Sequence, residues 1–175
     1  MTIHDSHPFP TDDDPVRRLR GRLGGAVTLW TAGDEGVAGG SGRAGLTVTS
    51  VLLAHGEPAR LLALVDPDSD LADAVTATGR AVMHLLAWRH RDLADAFAGV
   101  APAPGGPFRL AGFEPTPHGP RLADAPSYAC VEVESAAEVG WSLQLTCPVV
   151  GLHVGADDDP LLHRRGRYLR LGSGA

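Results

Sequence analysis

Gly40-Ser41-Gly42-Arg43-Ala44-Gly45-Leu46-Thr47-Val48-Thr49-Ser50 opens with the pattern G-x-G-x-x-G, the spelling of a dinucleotide-binding turn. Such a turn needs a strand before it and a helix after it, because the pyrophosphate rests on that helix's N-terminus. Residues 46–54, LTVTSVLLA, are β-branched and carry no helical apolar period, so a strand follows instead. Residues 26–32, AVTLWTA, alternate Val27, Leu29 and Thr31 against Thr28 and Trp30, which is a strand before the glycines. The glycines therefore read as turn residues of a hairpin. Glu57 and Asp66 stand at about the distance of a ribose-binding acid, and without the helix that spacing carries no meaning.

Residues 60–66, RLLALVD, give a third consecutive strand, which Pro67 ends. Ser69 can cap a helix in which Leu71, Ala74, Val75 and Thr78 share a face, and Gly79 closes it. RAVMHLL continues as a strand, and HRDLADAFAGV sets Leu93, Ala96 and Phe97 at helical spacing. Proline and glycine then crowd an ordered excursion before the strands of the final third, one with Cys130, Val131 and Val133, another with Val149, Val150, Leu152 and Val154. PLLHRRGRYLRLG reads as a strand or extended arm. Upstream, Asp14 as N-cap and Pro15 at the first helical position start a short helix with Val16, Leu19 and Leu23 on one side and a solvated arginine face. The expectation is a mainly β chain, a β-barrel with peripheral helices, spanning residues 15–171 between a flexible tail at 1–14 and a short one at 172–175.

Composition bounds the function. The chain of 175 residues is 43% hydrophobic and 21% charged, the make-up of one globular domain. Its net charge of -6 gives no pull toward nucleic acid or an anionic membrane. There is no apolar run near the ~20 residues of a membrane helix, and the first residues are acidic where a signal peptide would be basic and then apolar, so the default compartment is the cytoplasm. All 15 basic residues are arginine, which excludes a lysine Schiff base and a Walker A lysine. Cys130 and Cys147 read as small core residues rather than a redox pair. The eight histidines form no zinc spacing, Asp157-Asp158-Asp159 lacks the alternation of a calcium loop, and no G-x-S-x-G elbow occurs; a metal site is not expected.

Gly45-Leu46-Thr47-Val48-Thr49-Ser50 also places three hydroxyls and a row of backbone amides beside a buried strand, a set able to hold a polar ligand tail. At these residues the sequence resembles the flavin reductase-like proteins of the FMN-binding split-barrel superfamily. The order of pieces carries the resemblance: AVTLWTA, the G-L-T-x-x-S segment, a proline turn, a buried strand ending in Asp66-Pro67-Asp68-Ser69, then HLLAWRHRDLADAFAG, and finally Pro160-Leu161 with Arg165-Gly166-Arg167-Tyr168. It covers residues 15 to 171. It departs from the family at His55-Gly56-Glu57-Pro58-Ala59, where relatives often have Ser-x-x-Pro-Pro, at His84, where they often have asparagine, and at Arg164, where they often have histidine.

The resemblance implies an FMN-binding split barrel, a homodimer with flavin near the subunit interface, and NADH- or NADPH-dependent reduction of FMN, with FAD as the alternative flavin and a monooxygenase as a possible recipient. It implies a cofactor site made from Thr31, Leu46, Thr47, Val48, Thr49, Ser50, Asp66, Ser69, Arg165 and Gly166, with Ser69 near the flavin phosphate and Arg165 on a flavin or nicotinamide phosphate. The plain readings stand beside these: threonines suit a pleated surface, Ser69 suits an N-cap, and an arginine run suits solvent. His84 is the candidate catalytic group, against the commoner role of a hydrogen-bonded core histidine. Hydride transfer asks the protein for binding and stacking geometry rather than a catalytic triad, so the lack of one does not count against this reading. Two rivals remain open: a flavin or deazaflavin oxidoreductase acting on another small molecule, and a flavin- or haem-binding module without turnover, for which His55, His84 and His163 are the candidate ligands.

Overall fold

The structure, a computed structural model, describes residues 14–34, 42–157 and 159–171. The N-terminal tail, the C-terminal tail, and Gly40 and Ser41 of the glycine motif lie outside the described residues.

Helix α1 (Pro15–Leu23) begins as its sequence dictates, with the Asp14 carboxylate accepting from Val16 N at 2.9 Å and proline in the first turn. After the two-residue strand β1 (Gly25–Ala26), strands β2 (Thr28–Ala32) and β3 (Ala44–Val48) pair antiparallel, Thr28 opposite Val48. The glycine motif therefore joins two strands of one hairpin. Gly45 lies within β3, where a Cβ would stand 2.5 Å from the Phe97 ring. That glycine serves close packing rather than a phosphate.

The reading of residues 46–54 as one buried strand needs correction. The chain breaks at Thr49–Ser50, and β4 (Val51–Ala54) pairs with β5 (Arg60–Val65) instead, exposing Leu52 and Leu53. Helix α2 (Asp70–Thr78) follows, with Ser69 capping its start and Gly79 in the left-handed region at its end. Strand β6 (Arg80–Leu85), a 3₁₀ turn at Trp88–His90 and α3 (Arg91–Phe97) come next. The Pro/Gly excursion is ordered, with the short hairpin β7 (Phe113–Glu114) and β8 (Arg121–Leu122). Strands β9 (Ser127–Glu132), β10 (Ser135–Val139) and the long β11 (Ser142–Val154) lead to β12 (Leu162–Arg164) and β13 (Arg167–Leu169). Val133 falls just beyond β9. The final segment is a hairpin rather than an extended arm, because Arg165 and Gly166 take φ of 53° and 72° and turn the chain back.

The main sheet has the order β3-β2-β6-β9-β11-β5-β4, with β10 also on β11. Its two end strands are consecutive in sequence, and Leu64 N donates to Ser50 O at 3.0 Å, so the sheet curls until its ends meet at the Thr49–Ser50 corner. This closure encloses a core around Trp30, Leu61, Val65, Ala129, Val131 and Leu145, against which α2 buries Leu71 and Val75. A second core covers the outer face of β2 and β6. There Val27, Leu29 and Leu93 pack near the edge-on trio Phe97, Phe108 and Phe113, with ring centroids 4.9 to 6.0 Å apart. Strand β2 is thus buried on both faces, which is why all five of its residues lie inside. Of the cysteines, Cys147 is buried and Cys130 half-buried; burial pushes the Cys147 thiol up to about 12. A small sheet, β1-β12-β13, stands beside α1.

Candidate functional site

The corner between β3 and β4 is held by a short chain of hydrogen bonds. Trp30 Nε1 donates to Thr28 Oγ1 at 3.2 Å, and Thr28 Oγ1 donates to Val48 O at 2.6 Å. Both groups are buried, where a hydrogen bond is costly to lose. They fix the last residue of β3, and the chain beyond it crosses to β5. Thr49 and Ser50 are left half-buried at the turn, and their hydroxyls make no hydrogen bond to another described residue.

Facing this corner are α1 and the Arg165–Gly166 turn. Arg165 N donates to Gly21 O at 2.8 Å, and Arg164 Nε donates to Arg22 O at 3.3 Å, so the terminal hairpin and the helix are fastened together. Between them and the barrel runs an open groove of about 1250 Å³. Thr49, Ser50, Leu52, Leu64 and Val139 form its barrel side; Arg165, Gly166 and the arginines of α1 form the other. The groove offers an apolar wall, two hydroxyls and several guanidiniums, Arg165 among them. That donor set fits a ligand with a planar apolar ring at one end and a phosphate at the other.

The structure therefore brings together Thr49, Ser50, Arg165 and Gly166. It gives the other expected site residues different settings. Thr47 Oγ1 donates to Ala94 O at 2.6 Å, tying β3 to α3. Leu46 packs against the barrel core and Val48 is within it. Thr31 is fully buried, and its hydroxyl lies 2.5 Å from Pro120 O. Asp66 and Ser69 sit at the start of α2, where Ser69 Oγ donates to Asp66 O at 2.6 Å and accepts from Ala72 N at 3.2 Å. Neither lines the groove.

His84 is fully buried on β6. Its Nδ1 lies 2.9 Å from Leu29 O and its Nε2 accepts from Leu122 N at 3.0 Å, which fixes the Nδ1–H tautomer. Burial lowers its pKa to about 4, aided by the charges of Arg121 and His90 and opposed by the bond to Leu29. A neutral ring with both nitrogens on backbone has no face for a ligand. His163 lines the groove edge-on to Tyr168, while His55 is exposed elsewhere. Among the described residues no three His, Cys, Asp or Glu side chains group as metal ligands.

The sequence reading missed Thr28, Trp30 and the α1 arginines as parts of this site. A threonine inside an apolar strand gives a faint signal for the first; nothing in the periodicity foretells that α1 returns beside Arg165.

Residues 20–172 match the family model for the flavin reductase like domain. The chain belongs to this family. It is 33% identical over 156 residues to the FMN reductase (NADH) RutF of Ancylobacter novellus, covering 89% of this chain and 83% of that protein. Among solved structures it is similar to flavin reductase PheA2, with a TM-score of 0.80 at 20% identity over 93% of this chain and all of that one (100%). The flavin reductase of styrene monooxygenase from Pseudomonas putida S12 gives a TM-score of 0.76 at 19% identity, covering 91% and 98%. The two structures share the split-barrel fold, and the curled sheet of this flavin reductase-like chain is theirs.

Proposed function

We propose that this chain reduces FMN with NADH, binding the flavin in the groove at the Thr49–Ser50 corner. The observation that carries the reading is the meeting of two free hydroxyls, an apolar wall and the Arg165–Gly166 turn in one groove, in a chain whose RutF relative is an NADH-dependent FMN reductase. Bound flavin supplies the chemistry, accepting a hydride from the nicotinamide. The chain supplies position. Thr49 and Ser50 hydrogen-bond the polar chain of the flavin, Leu52, Leu64 and Val139 keep water from the ring, and Arg165 holds the phosphate. Leu46, Thr47 and Val48 shape the corner from behind, and Asp66 and Ser69 start α2.

The groove is open, and the surface beside it is apolar. Val16, Leu19 and Leu23 of α1 are 73%, 62% and 77% exposed, and Leu52 is 72% exposed. A second copy of the chain covering these residues completes the site as a homodimer. Reduced flavin released from such a site would serve a monooxygenase, the setting in which the styrene monooxygenase reductase is named.

Ser50→Leu tests the site. It fills the corner with an apolar side chain and removes a hydroxyl, and FMN affinity measured by fluorescence quenching is expected to fall about tenfold. Unchanged affinity would remove the corner from the flavin site.

A further inference from the structure

Among the described residues, positive charge outnumbers negative charge at the groove. Five arginines on other surfaces are paired: Arg60 with Glu134 at 2.7 Å, Arg89 with Asp124 at 3.2 Å, Arg170 with Asp159 at 2.8 Å, Arg91 with Asp92 at 3.6 Å, and Arg121 with Glu114. Among the described residues, Arg17, Arg18, Arg20, Arg22 and Arg165 line the groove with no carboxylate in ion-pair reach. The acid among its described lining residues, Asp14, caps α1. In a chain of net charge -6, five unpaired guanidiniums around one groove are a local inversion of sign.

The helix geometry gives this charge a direction. Gly21 is the point of contact with the terminal hairpin, since a Cβ there would lie 3.8 Å from Arg165 Cα. Arg17 and Arg18 precede Gly21 by four and three residues, so they share its face of the helix, about 6 Å further along the axis at the Arg17 position. Arg165, Arg18 and Arg17 thus succeed one another along this face of α1, and all three line the groove. One phosphate monoester is served by Arg165 and the hydroxyls; a row of this length suits two linked phosphates.

We propose that Arg17 and Arg18 of α1, continuing from Arg165, form a subsite for the diphosphate of a dinucleotide. The proposal rests on the flavin reductase reading and deepens it, because both FAD and NADH carry that group. It places the adenylate half of the ligand along α1, outside the barrel. Arginine is suited to the role by its bidentate fork, and an exposed site of this kind weakens as salt rises.

The test compares FAD, FMN, riboflavin and NADH on the full chain and on the Arg17→Gln/Arg18→Gln double variant. Affinities are measured by flavin quenching and the NADH KM by steady-state oxidation. Both side chains are exposed on a helix, so thermal melting reports whether the fold survives, and the Arg17→Lys/Arg18→Lys variant, which keeps the charge, recovers part of the loss. An FAD affinity about tenfold lower with a smaller loss for FMN assigns the subsite to the flavin dinucleotide. A NADH KM raised about tenfold with FAD unaffected assigns it to the nicotinamide dinucleotide. Equal losses for FAD, FMN and riboflavin, or no change for FAD and NADH while FMN is still reduced, overturn the subsite and leave the flavin reductase reading standing. A wild-type protein that neither binds nor reduces FMN or FAD overturns both.

Discussion

His84 joins three segments: its own strand β6, Leu29 of β2, and Leu122 of the excursion 38 residues later. Because burial holds its pKa near 4, the folded protein refuses a proton that the unfolded chain accepts from about pH 6.5 downward. This group's contribution is therefore complete above pH 6.5 and is lost progressively as pH falls to about 4, with a total loss of roughly 3 kcal/mol. Urea unfolding between pH 8 and pH 4.5 is expected to show wild type losing more stability on acidification than His84→Gln, which has no proton to refuse. Parallel pH profiles for the two proteins would contradict this account. The sequence marks His84 as a polar residue on an apolar strand and stops there. Its partner at Leu122 lies in a proline- and glycine-rich stretch where no periodicity places a backbone amide. Gly45 shows the same limit: its chain neighbours indicate a turn or strand, while the ring that forbids a side chain there belongs to Phe97.

The break between β3 and β4 is an element-scale event that the residues 46–54 conceal, because the β-branched first half and the apolar second half both read as strand. What separates them is partner choice, Val48 opposite Thr28 and Val51 opposite Ala63. The capped starts of α1 and α2 were legible for the opposite reason, since an N-cap is decided by residues within one turn. The terminal hairpin lies between these cases. Arg165-Gly166 in a tight two-residue turn is compatible with the sequence, yet an arginine at positive φ persists only where the flanking strands impose it. Tyr168 helps to impose it, its hydroxyl donating to Asp95 Oδ1 of α3 at 2.8 Å, and burial together with that carboxylate raises its pKa. We expect Tyr168→Phe to loosen the turn that carries Arg165. The FMN KM should rise several-fold, consistent with loss of about 1 kcal/mol, while kcat at saturating FMN stays close to wild type. Equal falls in kcat and stability with an unchanged KM would make Tyr168 a packing residue only.

At the scale of the whole molecule, the β-barrel with peripheral helices was legible, and the particular contact that closes it beside the site was not. Closure depends on the Leu64 to Ser50 hydrogen bond between the ends of the sheet, a long-range pairing that local pattern does not encode. It gathers Thr49 and Ser50 from the corner, Leu64 from β5 and Arg165 from the far end of the chain into one groove, although they are dispersed over more than a hundred residues. Among the described residues no helix is long and apolar enough to cross a membrane, and the exposed leucines of α1 and β4 lie beside the groove. Their placement supports a second subunit at that face. On the proposed function, this assembled groove lets NADH reduce FMN. Anaerobic NADH oxidation by the purified protein, with FMN titrated in, tests it directly. Turnover that requires FMN and saturates in both substrates is expected; FMN bound to the groove with no NADH consumed would overturn the proposed function.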